Sequence, residues 1–140
     1  MPENFEQAQE NIIQSISEAG DIFSQYTYLI SLASKLPEMS DEERLLSTTV
    51  DKCQSQVWIY ISFNNDGSIC MHADSDTLIV KSVLYLMKVL IDNRMPGEIQ
   101  DIKFNFLQET ELIDTFSDTR LNGFDEILKT IKRQTLTESV

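Results

Sequence analysis

Few side chains in this 140-residue sequence are suited to covalent or metal chemistry. The chain has two cysteines, Cys53 and Cys70, and one histidine, His72. Zinc and iron–sulfur sites usually draw on three or four cysteine or histidine ligands, so the composition disfavours a metal site. No glycine-rich phosphate loop is present, and the arginine that a phosphatase loop needs six residues after the cysteine is replaced by Ile59. The thiols are therefore the candidates for chemistry.

The two cysteines stand in different surroundings. Cys70 lies within a predicted strand, where a small buried hydrophobic residue is the simplest interpretation. Cys53 lies in the polar stretch 51–56, where no packing pattern requires a cysteine. Only the thiolate is nucleophilic, and Lys52 favours that form while Asp51 opposes it. Cys53 is therefore the candidate nucleophile, and a cysteine without any chemical role is the alternative.

Two helices are predicted before the polar stretch. Apolar residues recur at helical spacing in residues 5–16 and again in residues 23–33. Gly20 is a typical helix stop between them. Pro37 ends the second helix, because proline disfavours helical geometry in the residue before it. Residues 38–44 are acidic, and we expect them to form a turn.

The pattern changes to that of strands from residue 47 onward. Residues 48–50 are rich in β-formers, and apolar residues alternate over 57–63. Residues 65–67, Asn-Asp-Gly, predict a hairpin turn into a strand over 68–73, because these residues tolerate positive φ. The sequence therefore predicts a three-stranded antiparallel meander, with Cys53 between its first two strands.

The remainder of the chain predicts helices. The expected elements are a core helix over 76–92 capped by Ser75, a short helix over 96–102, short helical pieces over 104–115 and a last helix with an apolar stripe over 124–131. The prediction is an α+β fold forming one domain over residues 1–140, with residues 1–3 and 135–140 frayed.

Charge and hydropathy disfavour several classes of binding partner and a membrane-spanning segment. Twenty-three acidic residues against eleven basic ones give a net charge of −12, which disfavours binding to nucleic acids and anionic lipids. The N-terminus has no signal-peptide pattern. The most apolar run, residues 78–91, is broken by Lys81 and Lys88 and is too short to span a membrane. We therefore expect a cytoplasmic protein with reduced thiols.

Four blocks of sequence resemble one known family. Residues 53–58, Cys-Gln-Ser-Gln-Val-Trp, resemble the signature hexapeptide around the sulfur-accepting cysteine of the SufE family. Three further blocks resemble that family in the same order: Lys35-Leu36-Pro37 with residues 41–44, Asp74-Ser75-Asp76 with residues 79–81, and residues 119–123. Lys52 and Ser82 stand where the family favours glycine. The resemblance extends from about residue 28 to residue 132.

The resemblance implies both a fold and a function. The fold is SufE/NifU-like. The function is that of a sulfur carrier: Cys53 accepts persulfide sulfur from a SufS-type cysteine desulfurase, the protein stimulates that enzyme, and the sulfur passes to a SufBCD-type scaffold for iron–sulfur cluster assembly. Such a protein is an accessory to an enzyme and needs no cofactor. A homodimer is compatible with the sequence.

The resemblance also implies roles for residues other than Cys53. Arg120 matches an arginine that the family places near the cysteine loop, and a surface or helix-capping arginine is the alternative. Gln54, Ser55 and Gln56 either line the mouth of that loop or hydrogen-bond its backbone. Asp74, like Asp76, is either an acid at a helix N-terminus or part of a docking surface.

The residues alone are also compatible with two other functions. Cys53 is also compatible with a redox-active thiol that reduces peroxide or forms a disulfide with Cys70. The third interpretation is an interaction module whose cysteine is idle. His72 is expected to be a strand residue without a catalytic role, and Trp58 is expected to be a core residue.

Overall fold

The computed structural model of the chain describes residues 3–50 and 55–137. The elements in order are α1 (Phe5–Glu18), α2 (Ile22–Ser31), α3 (Asp41–Leu46), β1 (Thr48–Thr49), β2 (Val57–Phe63), β3 (Ile69–Ser75), α4 (Leu78–Ile91), α5 (Pro96–Ile99) and α6 (Asp118–Thr137). Segments Leu32–Lys35 and Glu111–Thr115 are 3₁₀-helical. The predicted α+β class is confirmed: helices precede and follow a three-stranded antiparallel sheet.

The hairpin between β2 and β3 forms as predicted. Val57 pairs with Ser75 at the end of the hairpin that lies far from the turn. Gly67 in the turn has φ of 87°, a conformation that glycine adopts without strain. The Asp66 carboxylate accepts hydrogen bonds from the hydroxyl and the backbone N–H of Ser68, at 2.6 and 2.9 Å, and these bonds lower the pKa of Asp66.

The inner face of the sheet packs against α4. Side chains alternate between the two faces of a strand, and the inward residues are fully or almost fully buried: Val57, Ile59 and Ile61 of β2, and Ile69, Met71 and Ala73 of β3. Val83, Leu84 and Met87 of α4 are also buried. The predicted core helix is thus confirmed, although Thr77 is its N-cap and Ser75 belongs to β3.

Helix α3 lies where the sequence predicts a turn, so that expectation is wrong. Ser40 and Glu43 form a capping box: the Ser40 hydroxyl accepts the Glu43 N–H at 3.0 Å, and the Glu43 carboxylate accepts the Ser40 N–H at 2.9 Å. The Ser-x-x-Glu spacing is a known signal for a helix start, and it was present in the sequence.

Side chains of α3 contact the outer face of the sheet. The Arg44 guanidinium lies 4.1 Å from the centre of the Trp58 ring and 2.6 Å from the Asp74 carboxylate. Glu43 Oε2 lies 2.6 Å from His72 Nδ1. Trp58 is therefore half-buried on the outer face, and its expected place in the core is wrong. Because β1 follows α3, these contacts also fix the chain that leads toward Cys53.

The short strand β1 leaves part of β2 without a neighbouring strand, and α6 covers that edge. The Gln134 side chain donates to Ile59 O at 3.0 Å and accepts from Ile61 N–H at 2.9 Å, in the way that a neighbouring strand would. Thr135 is fully buried and accepts a hydrogen bond from Gln100 at 2.7 Å. The helix thus continues through Thr137, beyond the residue where fraying was expected.

No helix within residues 3–50 and 55–137 combines the length and the apolar character needed to cross a bilayer.

Acid is expected to loosen α3 through Glu43. The hydrogen bond from Ser40 N–H, and then the charge of His72, lower the pKa of Glu43 below its ordinary value of 4.5. A carboxyl group with a lowered pKa contributes stability above its unfolded pKa and loses it as the pH falls through the folded value. Urea unfolding on either side of pH 4.5 should therefore show a smaller acid-induced loss of stability for Glu43→Gln than for wild type.

Glu42→Gln changes an exposed acid of the same helical turn and is the matched control. The acid-induced loss of stability of Glu42→Gln should equal that of the wild type. If Glu43→Gln also equals the wild type, the contacts of Glu43 do not hold α3 in place.

Candidate functional site

The structure describes both ends of the segment that carries the predicted nucleophile. Cys53 and Gln54 themselves lie outside the described residues. Before them, Val50 is buried, and its N–H donates to Val57 O at 3.1 Å. After them, Ser55 is buried, with 8% of its surface exposed. Each end of the segment is thus attached to the folded domain.

The hydroxyl of Ser55 connects the end of the cysteine segment to α4 and α6 through hydrogen bonds. Arg120 Nη1, in the first turn of α6, donates to Ser55 Oγ at 2.9 Å. The hydroxyl of Thr77, the N-cap residue of α4, lies 2.7 Å from the same oxygen. Hydrogen bonds that involve a charged donor are stronger than neutral ones. The structure therefore places Arg120 beside a residue only two positions after Cys53.

Gln56 is held through its backbone. Its N–H donates to the Asp76 carboxylate at 3.1 Å, and its carbonyl accepts the Asp76 N–H at 3.3 Å. The Gln56 side chain is exposed. These bonds are made by the backbone of Gln56 itself, and their partner is Asp76, in the connection between β3 and α4. Both roles predicted for the Gln56 side chain therefore stay predictions.

Asp74 belongs to a different group of side chains. It lies in β3 on the outer face of the sheet, opposite Trp58, and so is not an acid at a helix N-terminus as one alternative supposed. Its carboxylate pairs with Arg44 at 2.6 Å and with Lys81 at 3.5 Å. Within the described part of the chain, no hydrogen bond joins it to Arg120.

An open depression lies beside Arg120. Its lining comes from α2, α4, the segment before α6 and the first turn of α6: Tyr26, Ile79, Thr115, Phe116, Ser117 and Arg120. Nothing in the sequence singled out Tyr26, Ile79 or Phe116 for the site. Tyr26 and Ile79 belong to helical apolar patterns that indicated only packing, and Phe116 lies outside every predicted element. Their meeting point depends on how three separate segments pack, so no local signal could reveal it.

The other chemical groups lie elsewhere. Cys70 is half-buried on the outer face of β3 with its sulfur 3.8 Å from Lys88 Nζ, whereas the sequence predicted a buried residue. His72 bonds to Glu43 and, at 2.9 Å, to the Ser62 hydroxyl. Among residues 3–50 and 55–137, no three His, Cys, Asp or Glu side chains are grouped so that they could hold a metal ion.

Comparison with protein families identifies the chain. A model of the SufE family, described as an Fe–S metabolism associated domain, matches residues 10–135. The chain belongs to the SufE family. This family assignment covers the Ser55–Arg120 contact and the segment with Cys53, and it associates the domain with iron–sulfur metabolism.

A solved structure supports the same fold. The solution structure of a hypothetical protein from Thermus thermophilus superposes with a TM-score of 0.74. The match covers 94% of this chain and 93% of that chain at 17% sequence identity. At this identity the likeness shows the architecture, and it confirms how the helices of this SufE-family domain surround the sheet.

Removing the Ser55 hydroxyl is expected to weaken the domain. Ser55→Ala leaves the Arg120 guanidinium without this acceptor in a partly buried place, whereas the Thr77 hydroxyl keeps the Asp76 carboxylate, 3.0 Å away, as an acceptor. Losing such a partner costs about 1–3 kcal/mol of unfolding free energy. The measurement is urea unfolding at neutral pH. Ser34→Ala, which removes an exposed hydroxyl, should change stability by less than about 0.5 kcal/mol. Equal stabilities for the two variants would contradict an anchoring role for Ser55.

Proposed function

We propose that this SufE-family protein is a sulfur carrier. Cys53 accepts sulfur as a persulfide from a SufS-type cysteine desulfurase, the protein stimulates that enzyme, and the sulfur passes on to a SufBCD-type scaffold. The observation that carries the proposal is the Arg120–Ser55 hydrogen bond, because it holds a permanent cation two residues from the candidate nucleophile. The family's association with Fe–S metabolism supports it.

The transfer step resembles thiol–disulfide exchange. The Cys53 thiolate attacks the terminal sulfur of the desulfurase persulfide, and a new S–S bond forms on Cys53. The S–S bond of the donor breaks, and the desulfurase cysteine leaves as a thiolate. The reaction needs no external oxidant or reductant, because one S–S bond replaces another.

Arg120 suits both anions in this reaction. A nearby cation favours a thiolate over a thiol, and it equally favours the anionic form of the persulfide product. Arginine remains charged at every relevant pH. The Ser55 hydroxyl directs the guanidinium toward the end of the segment that carries Cys53.

The depression beside Arg120 supplies apolar surface for a bound persulfide. Tyr26, Ile79 and Phe116 are the apolar part of its lining, and contact with them reduces the exposure of a persulfide to dissolved reductants. Val57 and Trp58 are the apolar residues of the hexapeptide 53–58. Val57 is fully buried in the core and Trp58 lies on the outer face under Arg44, so neither is free for this role.

The length of chain between the bonded residues and the two cysteines disfavours a disulfide between Cys53 and Cys70. Gln56 is bonded to Asp76, and six residues of nearly extended chain, about 20 Å, separate Asp76 from Cys70. Three residues of chain, the separation of Cys53 from Gln56, span at most about 11 Å. The Cα atoms of a disulfide lie within about 7 Å of each other. A disulfide between the two cysteines therefore requires these bonded segments to move.

Loading of Cys53 can be measured by intact mass. Incubation with a cysteine desulfurase and cysteine should add about 32 Da, the mass of one sulfur atom, to the wild type and to Cys70→Ser. Cys53→Ser should gain no sulfur and should lose the stimulation of sulfide release. If Cys53→Ser stimulates the desulfurase as well as the wild type does, the carrier function is wrong.

Peroxide treatment separates the redox alternative. A redox-active thiol would gain oxygen, about 16 Da, at Cys53 with peroxide and would gain no sulfur with the desulfurase. A sulfur carrier should gain sulfur with the desulfurase and no oxygen with peroxide.

Removing the charge of Arg120 is expected to make the thiolate of Cys53 harder to form. In a Cys70→Ser background, iodoacetamide alkylation of Arg120→Met should reach its half-maximal rate about one pH unit higher than in the parent. Arg120→Lys keeps the charge and should recover part of the shift. Lys81→Met removes a cation that pairs with Asp74 and is the control for net charge. Equal profiles for Arg120→Met and Lys81→Met would contradict this role.

A further inference from the structure

Exposed apolar side chains lie on α2 and at the start of α4. Ile22, Phe23 and Tyr26 share a face of α2 and are 38%, 76% and 38% exposed. Leu78, the first residue of α4, is 60% exposed. It directly follows Thr77, whose hydroxyl is bonded to Ser55.

The depression beside Arg120 connects these side chains. Tyr26 of α2 and Ile79 of α4 line it together with Phe116 and Arg120. Ile22 lies one helical turn before Tyr26, and Leu78 directly precedes Ile79, so exposed apolar residues of both helices belong to the surface around the depression. We name this surface the apolar docking face and define it by five residues: Ile22, Phe23, Tyr26, Leu78 and Phe116.

The surroundings of the apolar docking face are acidic. Residues 20–31, 75–80 and 110–119, which form it, contain five acids and no lysine or arginine: Asp21, Asp76, Glu111, Asp114 and Asp118. All five are exposed. Hydrogen bonds from Ser24 lower the pKa of Asp21, so its carboxyl group is ionised at neutral pH. Arg120, the cation at the site, is directed toward Ser55.

We propose that the apolar docking face binds the desulfurase itself, at an apolar surface that is surrounded by lysine and arginine. The inference rests on the proposed function, because transfer from one thiol to another requires the two proteins to touch beside Cys53. Protein interfaces combine an apolar, aromatic-rich centre with a polar rim, and opposite charges on the two rims guide the encounter. The acidic rim repels an anionic membrane or a nucleic acid.

Leu78→Asp tests the face with little risk to the fold. Leu78 is the first residue of α4, where a carboxylate is favourable because of the helix dipole. The control is Val89→Asp, which places the same charge on α4 at a residue that is 48% exposed. Val89 lines a different depression, next to Ala8, Ile12 and Tyr28.

The expected result is weaker docking with intact chemistry. The concentration needed for half-maximal stimulation of the desulfurase should rise about tenfold or more for Leu78→Asp, as expected for an interface anchor. Val89→Asp should match the wild type. Alkylation of Cys53 by iodoacetamide should be the same in all three proteins, because the small reagent needs no docking. Phe23→Asp, on α2, should repeat the defect.

Sulfur loading distinguishes the two proposals. If wild-type Cys53 gains no sulfur from the desulfurase, the proposed function itself is wrong. If the wild type is loaded but Leu78→Asp and Phe23→Asp behave like Val89→Asp, the carrier function stands and the docking face is wrong. If sedimentation shows a wild-type dimer that Leu78→Asp dissociates, the face binds a second copy of this chain, and this also overturns the proposal.

Discussion

The shared acceptor at Ser55 is the contact on which the rest of the site depends. Its hydroxyl bonds to Arg120 at the start of α6 and to Thr77 at the start of α4, so helices distant in sequence meet beside the end of the cysteine segment. Gln56 adds two backbone bonds to Asp76. The described end of the cysteine segment is thus held by α4, by α6 and by the connection between β3 and α4 together.

Charge is distributed unevenly around this contact. The chain as a whole carries a net charge of −12, yet a guanidinium points at the end of the cysteine segment. On the outer face of the sheet, by contrast, the cations Arg44 and Lys81 are both paired with the Asp74 carboxylate. In the proposed function, this directed cation stabilises a sulfur anion locally, while the surrounding carboxylates favour a partner of opposite charge. The two effects act over different distances and so do not conflict.

Local patterns predicted most of the elements correctly. The helical stripes of α1 and α2, the Asn-Asp-Gly turn and the apolar α4 depend on neighbours in sequence, and all were confirmed. The missed helix α3 had a local capping signal too, in Ser40 and Glu43, but the acidic composition of the segment favoured a turn. Trp58 and Asp74 were misplaced for a different reason. Which face of a strand points outward depends on where α4 packs, and Arg44, which covers the outer face, is far from both residues in sequence.

The family and the candidate nucleophile follow from local sequence, because the hexapeptide and the scarcity of other reactive side chains can be read without a structure. The resemblance also suggested Arg120. The contacts of the site become visible only in the folded chain: Arg120 bonds to Ser55, Asp74 pairs with Arg44, and Tyr26, Ile79 and Phe116 line one depression. The first of these contacts joins residues 65 positions apart, and its formation depends on helix packing, which no short pattern encodes.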